Sequence, residues 1–211
     1  MQLSEIRTVL KRYGFDESDP LDAWINEAKD RSSDHFDWPF FEKSATNNVA
    51  AGTSAFGALP TDYDIPISVH TLVNGNQTPL EYWDYEKFQR EVESTTQSGN
   101  PSVWYVLGGQ IFIWPVPDVA TDVILVYRAQ QPDLVAGTDV PDLFPTRFHY
   151  NFAVGAASIG LMAENEEDRA ATALADFQGR LDQLVQTYSS KQRTSFATVQ
   201  DVQGYGPTDG T

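Results

Sequence analysis

Cysteine is absent from the chain's 211 residues. That excludes a disulfide framework, a thiolate zinc site and a cysteine nucleophile. Basic residues are scarce: fourteen Lys plus Arg stand against thirty Asp plus Glu, a formal net charge of −16. Gripping nucleic-acid phosphates needs a basic footprint that displaces counterions, so this balance argues against such a binder. It argues equally against docking on an anionic membrane surface. No stretch approaches the ~18 uninterrupted apolar residues of a membrane span. Met1-Gln2-Leu3-Ser4-Glu5 opens directly into an amphipathic pattern, without the basic and then apolar run of a signal peptide. The expectation is a soluble protein made in the cytoplasm. What is present is a globular composition, 41% hydrophobic, 12% aromatic and 21% charged. It suits one good-sized domain, or one domain carrying an insert.

Helical periodicity marks both ends of the chain. The spacing predicts a first helix with Ile6, Val9, Leu10 and Tyr13 on one face, Ser4 as its N-cap and Gly14 as its stop. A second has Asp19 as cap, Pro20 at the first helical position, and Leu21, Trp24, Ile25 and Ala28 on its apolar face. Around Trp38-Pro39-Phe40-Phe41 the period changes. From there to about residue 142, short β-branched and aromatic runs are broken by Gly, Pro, Asn and Asp. Predicted strands are Ile65–Val73, Val103–Leu107, Gln110–Trp114 and Val123–Ala129. Asn74-Gly75-Asn76 reads as a turn after the first, and Gly108-Gly109 as a tight hairpin between the second and third. Asp84–Val92 is a short predicted helix lying across the sheet, with Tyr85, Phe88 and Val92 on one face.

Past Pro141 and Pro145 the helical period returns. Arg147–Ala163 places Phe148, Phe152, Ala156, Ile159 and Ala163 on one stripe, while Gly155, Ala157 and Gly160 leave room for a helix to approach closely. The last predicted helix begins at Asn165, with Glu166, Glu167 and Asp168 where the helix dipole favours anions. Its stripe is Leu174, Phe177, Leu181, Leu184 and Tyr188, weakened only by Gly179. This order predicts an α+β fold: a helical bundle from both chain ends (1–45 and 143–189) with an antiparallel β module inserted over 46–142. Residues 190–211, rich in Ser, Thr, Gln and Gly, read as an extended C-terminal arm that cannot bury a core alone.

Catalytic signatures are missing. There is no dinucleotide fingerprint, phosphate-binding loop or zincin motif. Gly52-Thr53-Ser54-Ala55-Phe56-Gly57 misses the second glycine of a nucleophile elbow by one position. Asp62-x-Asp64 starts like a calcium loop, but Pro66 stands where another oxygen ligand belongs. His35, His70 and His149 lack metal-ligand spacing, and His149 suits a capping or interface role. Glu166/Glu167 reads as a solvated helix start. No catalytic, metal or cofactor-binding residue is expected. The aromatics Tyr82, Trp83, Tyr85, Trp104, Tyr105 and Trp114 crowd the β region, where they would form either a core or a stacking platform for sugars.

Several strings carry a resemblance. Leu21-x-x-Trp24-Ile25-Asn26-Glu27-Ala28 followed by Trp38-Pro39-Phe40-Phe41 resembles the opening of tailed-phage head–tail adaptor (connector) proteins. Leu59-Pro60 with Asp64-Ile65, then Gly99-Asn100-Pro101-x-x-Trp104-Tyr105, is similar to their middle. So are Gly109-x-Ile111-x-Ile113-x-Pro115-x-Pro117-Asp118 and Val123-x-Leu125-x-Tyr127-Arg128. Leu143-Phe144-Pro145-x-Arg147-Phe148-His149 resembles their closing section. The match spans about residues 3–188. It implies a virion structural protein without catalysis, located at the head–tail neck and assembled in the host cytoplasm. It implies a ring of copies, usually a dodecamer, between the portal protein and a downstream neck or tail protein, with DNA passing through without specific binding. The resemblance also implies a C-terminus that reaches the portal, and Phe196, Val199, Val202 and Tyr205 are the apolar anchors the tail offers. Nineteen Asp and five Lys suit a conduit past which phosphates slide, and equally a salty environment or solubility. The competing reading is a carbohydrate-binding module built on the Trp and Tyr residues of the β region.

Overall fold

The computed structural model describes residues 1–73, 75–92 and 97–197, with the backbone alone for 190–197. In chain order the elements are α1 (Leu3–Leu10), α2 (Leu21–Asp34), β1 (Glu42–Val49), β2 (Tyr63–Val73), β3 (Asn76–Pro79), β4 (Glu81–Tyr82), α3 (Tyr85–Glu91), β5 (Val103–Leu107), β6 (Gln110–Trp114), β7 (Thr121–Ala129), α4 (His149–Ala163) and α5 (Glu167–Ala197). The chain divides into two compact units: Met1–Pro39 with the chain from Asp133 onward, and Phe40–Pro132. Both borders fall earlier than the 45/46 and 142/143 expected from composition.

In the first unit α1, α2 and α5 all pack on α4. That helix is buried all round from Asn151 to Ser158 without interruption, so its middle has no solvent face. Of its expected stripe, Ile159 is half-buried and Ala163 exposed. Two glycines let the neighbours close on α4. A Cβ on Gly155 would stand 2.7 Å from the Phe177 ring and 2.9 Å from the Ala28 Cβ; one on Gly160 would stand 2.6 Å from Trp24 and 2.7 Å from Phe15. The rings of Phe15 and Trp24 meet edge to face at 5.1 Å.

Helix ends depart from the expected caps. Gln2, not Ser4, caps α1, its N–H donating to the Glu5 carboxylate at 2.7 Å. Starting two residues earlier puts Leu3 in the helix, where it is buried. Pro20 is the N-cap of α2 rather than its first helical residue. Asp19 instead accepts from the Asp16 N–H at 2.7 Å. Asn165 does not open α5 but closes α4, in the left-handed region at φ 63. The Asn165 N–H donates to the Met162 carbonyl (3.2 Å) and the Glu166 N–H to that of Leu161 (2.9 Å), a Schellman closure of the last turn. On α5 the buried stripe is Ala170, Ala173, Phe177 and Leu181, with Leu174, Leu184 and Tyr188 half-buried. The helix also runs through Ala197, so residues 190–197 are helical where an extended arm was expected. Lys191, Gln192, Arg193 and Ala197 favour helix, and no Gly or Pro intervenes before Gly204.

The second unit holds two sheets, ordered β1-β7-β2-β3 and β4-β5-β6. All four predicted strands form, and alternation along β7 buries Val123, Leu125 and Tyr127. Gly108 and Gly109 take φ +59 and +75, the two left-handed positions of a type I′ hairpin, with Leu107 opposite Gln110. Asn74 lies outside the described residues; Gly75 takes φ +78 and Val73 pairs with Asn76. The strand β1, absent from the sequence expectation, is polar (Glu-Lys-Ser-Ala-Thr-Asn-Asn-Val) and pairs only with β7, as an edge. Among the named strands one pairing is not antiparallel: β4 runs parallel to β5, because the intervening chain with α3 makes a crossover. Asp84 caps α3 by accepting from the Lys87 N–H at 2.6 Å, and Phe88 stacks on Tyr105 at 4.1 Å.

Candidate interaction surfaces

Leu21–Ala28 and Trp38 of the opening strings share the first unit with the closing string. Trp24 and Ala28 face the glycines of α4. Between them Asn26 brackets the backbone of Leu134, accepting from its N–H at 2.9 Å and donating to its carbonyl at 3.0 Å. Lys29 is fully buried, with its ammonium 2.8 Å from Asp133 and 3.2 Å from Asp30. Trp38, also fully buried, donates its indole N–H to the Ser32 carbonyl at 2.7 Å and meets Phe148 edge to face. Arg7 clamps Asp22 with two bonds of 2.6 and 2.5 Å, tying α1 to α2.

The histidines are separate. His35 lies 3.2 Å from Asp182, and His70 bonds Ser68 at 2.9 Å. His149 is buried between the Met1 amine, 2.6 Å from Nδ1, and the Phe144 carbonyl, 3.0 Å from Nε2. An ammonium only donates and a carbonyl only accepts, so the neutral ring protonated on Nε2 satisfies both. Burial is the main cause that holds this imidazole below its ordinary value, and the Met1 ammonium adds to it. Below the ordinary imidazole pKa of ~6.5 the unfolded chain takes up a proton that the folded site resists, so this group costs stability as pH falls. The thermal midpoint should therefore drop more between pH 7.5 and 5 for the native chain than for His149→Gln; equal drops would show that the ring titrates as freely folded as unfolded.

The other chemical candidates are occupied structurally. Asp62 accepts from the Lys43 ammonium (2.7 Å) and the Tyr127 hydroxyl (2.9 Å). The Lys43 bond is the chief reason its carboxyl sits below the usual range, while burial, then the bond to Asp62, pushes Tyr127 up to about 12. Asp64 faces Arg128 at 3.9 Å. Cations thus already balance both carboxylates of the calcium-like string. The Ser54 carbonyl accepts from the Ile113 N–H and Ala55 bridges to Phe112, so this loop extends the β6 edge and makes no strand-to-helix elbow. Glu166 pairs with Arg169. Among the described residues no three His, Asp or Glu side chains converge to hold a metal, and no helix is long and apolar enough to cross a membrane.

The aromatics of the β region stack on one another. Tyr105 contacts Tyr85, Phe88 and Phe112; Trp83 stacks on Trp114, and Tyr82 lies 4.7 Å from Trp104. Of the six named from sequence, Tyr82 alone is strongly exposed, at 55%. A sugar platform needs several exposed coplanar rings, and these fill the space between α3 and β5–β6 instead.

Of the four proposed portal anchors only the backbone of Phe196 lies among the described residues. Phe196 falls on the backbone of α5, with its side chain outside the description, and Val199, Val202 and Tyr205 lie outside the described residues. Sequence reading also passed over Asn151, a buried amide whose only signal is a polar residue directly before the apolar run Phe152–Ala157.

Comparison with known proteins adds what geometry alone leaves open. No curated protein matches the chain. The family model for the SU10 adaptor protein matches residues 1–201. That span takes in all the described residues and every string that carried the resemblance, and the chain therefore belongs to the SU10 adaptor protein family of bacteriophage adaptors.

Proposed function

We propose that the protein is a head–tail connector: copies form a ring between the portal and a downstream neck or tail protein, and the ring continues the DNA channel without catalysis. The observation that carries this reading is the family match across residues 1–201. The charge of −16 supports it, since a conduit with a basic lining would hold phosphates rather than let them pass. A heterologous ring also asks each copy for two different complementary faces, which two compact units can provide. The tail beyond α5 is the portal contact in this reading, with Val199, Val202 and Tyr205 as anchors and Phe196 at its root.

Three measurements test it. Electron microscopy of purified particles should place the chain as a ring at the neck; a position in the shell or at the distal tail would overturn the connector reading. The isolated protein should sediment as a monomer in moderate salt, because copies of charge −16 repel and the portal acts as template. Deleting 198–211 leaves α5 complete, so the thermal midpoint should hold while retention on portal-containing heads is lost. Truncated protein that still joins heads would remove the tail from the portal contact.

A further inference from the structure

A polar cleft of about 210 Å³ opens in the first unit where the start of α4 lies against α5. It is lined by Arg147, Asn151, Arg180, Gln183, Leu184 and Thr187. These residues supply two guanidiniums and no carboxylate, in a chain of net charge −16. Both guanidiniums are positioned by aromatic rings. Arg147 bonds the Tyr188 hydroxyl and stands 4.5 Å over that ring; Arg180 stands 5.2 Å over Tyr150 and bonds Asp176 through Nε at 2.9 Å. A guanidinium has five N–H donors, so each bond leaves donors to spare.

Asn151 sits at the base of the cleft. It is 2% exposed, and neither its Oδ1 nor its Nδ2 has a hydrogen-bond partner among the described residues. A buried amide left unpaired is costly, and an apolar residue of similar volume would avoid that cost. Its neighbours on α4, Phe152 to Ala157, are all apolar or glycine. Stability alone does not account for an asparagine there.

We propose that this cleft takes an acidic side chain of a neighbouring polypeptide. Its carboxylate lies between the two guanidiniums, which suit planar oxyanions. The peptide group next to it meets Asn151, whose adjacent donor and acceptor match a peptide C=O and N–H. In this proposal the two arginine side chains turn toward the carboxylate, which brings the amide within reach. This assignment does not depend on which end of the protein faces the portal.

The test uses the full chain, N-acetyl-glutamate N-methylamide as probe, and the side-chain amide resonances of Asn151 as readout. The blocked glutamate should shift them, with the blocked glutamine and acetate each several-fold weaker, and Arg180→Gln should abolish the shift. No shift, or acetate acting as strongly as the blocked glutamate, would overturn the proposal; the latter would make this a general anion site only. Asn151→Leu, which has no such resonance, is read by its thermal midpoint, which should rise. A lowered midpoint would mean that the amide is bonded within the fold, and the assignment would fail on that ground as well.

Discussion

Replacing Gly155 with alanine lowers the thermal midpoint, while the same change at Gly179 raises it. Gly155, Gly160 and Gly179 all lie inside helices and carry the same intrinsic penalty relative to alanine, about 1 kcal/mol each. At Gly179 an added Cβ meets nothing within 4 Å, so the propensity gain is kept nearly whole. At Gly155 the methyl would be wedged between the Phe177 ring of α5, 3% exposed, and the Ala28 Cβ of α2, fully buried. Neither can retreat without moving a helix, and overpacking of this kind costs ~1–3 kcal/mol. Gly160→Ala meets the rings of Trp24 and Phe15, which already pack against each other, and should also destabilise. Gly155→Leu adds three further carbons to the same gap and should unfold at a far lower midpoint, with loss of cooperativity. For a chain of this size each kcal/mol moves the midpoint by roughly 2–4 °C, well within measurement. Stabilisation by Gly155→Ala equal to that of Gly179→Ala would mean that α2 and α5 do not close on α4 at this distance.

Leu181→Ala should cost ~2–5 kcal/mol, the range for truncating a buried leucine and leaving a cavity. Leu181 is 1% exposed on the α5 face that packs against α4. Leu174→Ala, by contrast, should cost no more than about half as much, because Leu174 is only half-buried and its site can be filled by water. Chemical denaturation of the two variants separates them directly. Equal midpoints would show that α5 is rotated about its axis, with Leu174 turned as far toward α4 as Leu181.

That pair also shows how far periodicity reaches. From sequence alone Leu174, Phe177, Leu181, Leu184 and Tyr188 make one stripe, since a hydrophobic pattern scores large side chains. Ala170 and Ala173 lie deeper than Leu174, and a pattern that scores large side chains passes over small residues on the packed face. The candidate interface was less legible still. Phe196, Val199, Val202 and Tyr205 stand out for their apolar spacing, yet an apolar anchor in a polar tail acquires its role only from the surface it meets.

Locally encoded features were determined by the sequence itself. The two left-handed glycines at 108 and 109 join β5 to β6, Asp84 caps α3, and the alternation of β7 selects its buried face, because each depends on residues a few positions apart. Tertiary structure decided the rest. The strand β1 has no intrinsic β preference and exists because β7 offers it an edge. Asn165 became the end of α4 instead of the start of α5 because two carbonyls of that helix needed donors. The all-round burial of α4 arises where helices from opposite ends of the chain converge on it, and the cleft over Asn151 where α5 folds back along α4. No window of sequence contains both partners, so no local pattern could have announced them.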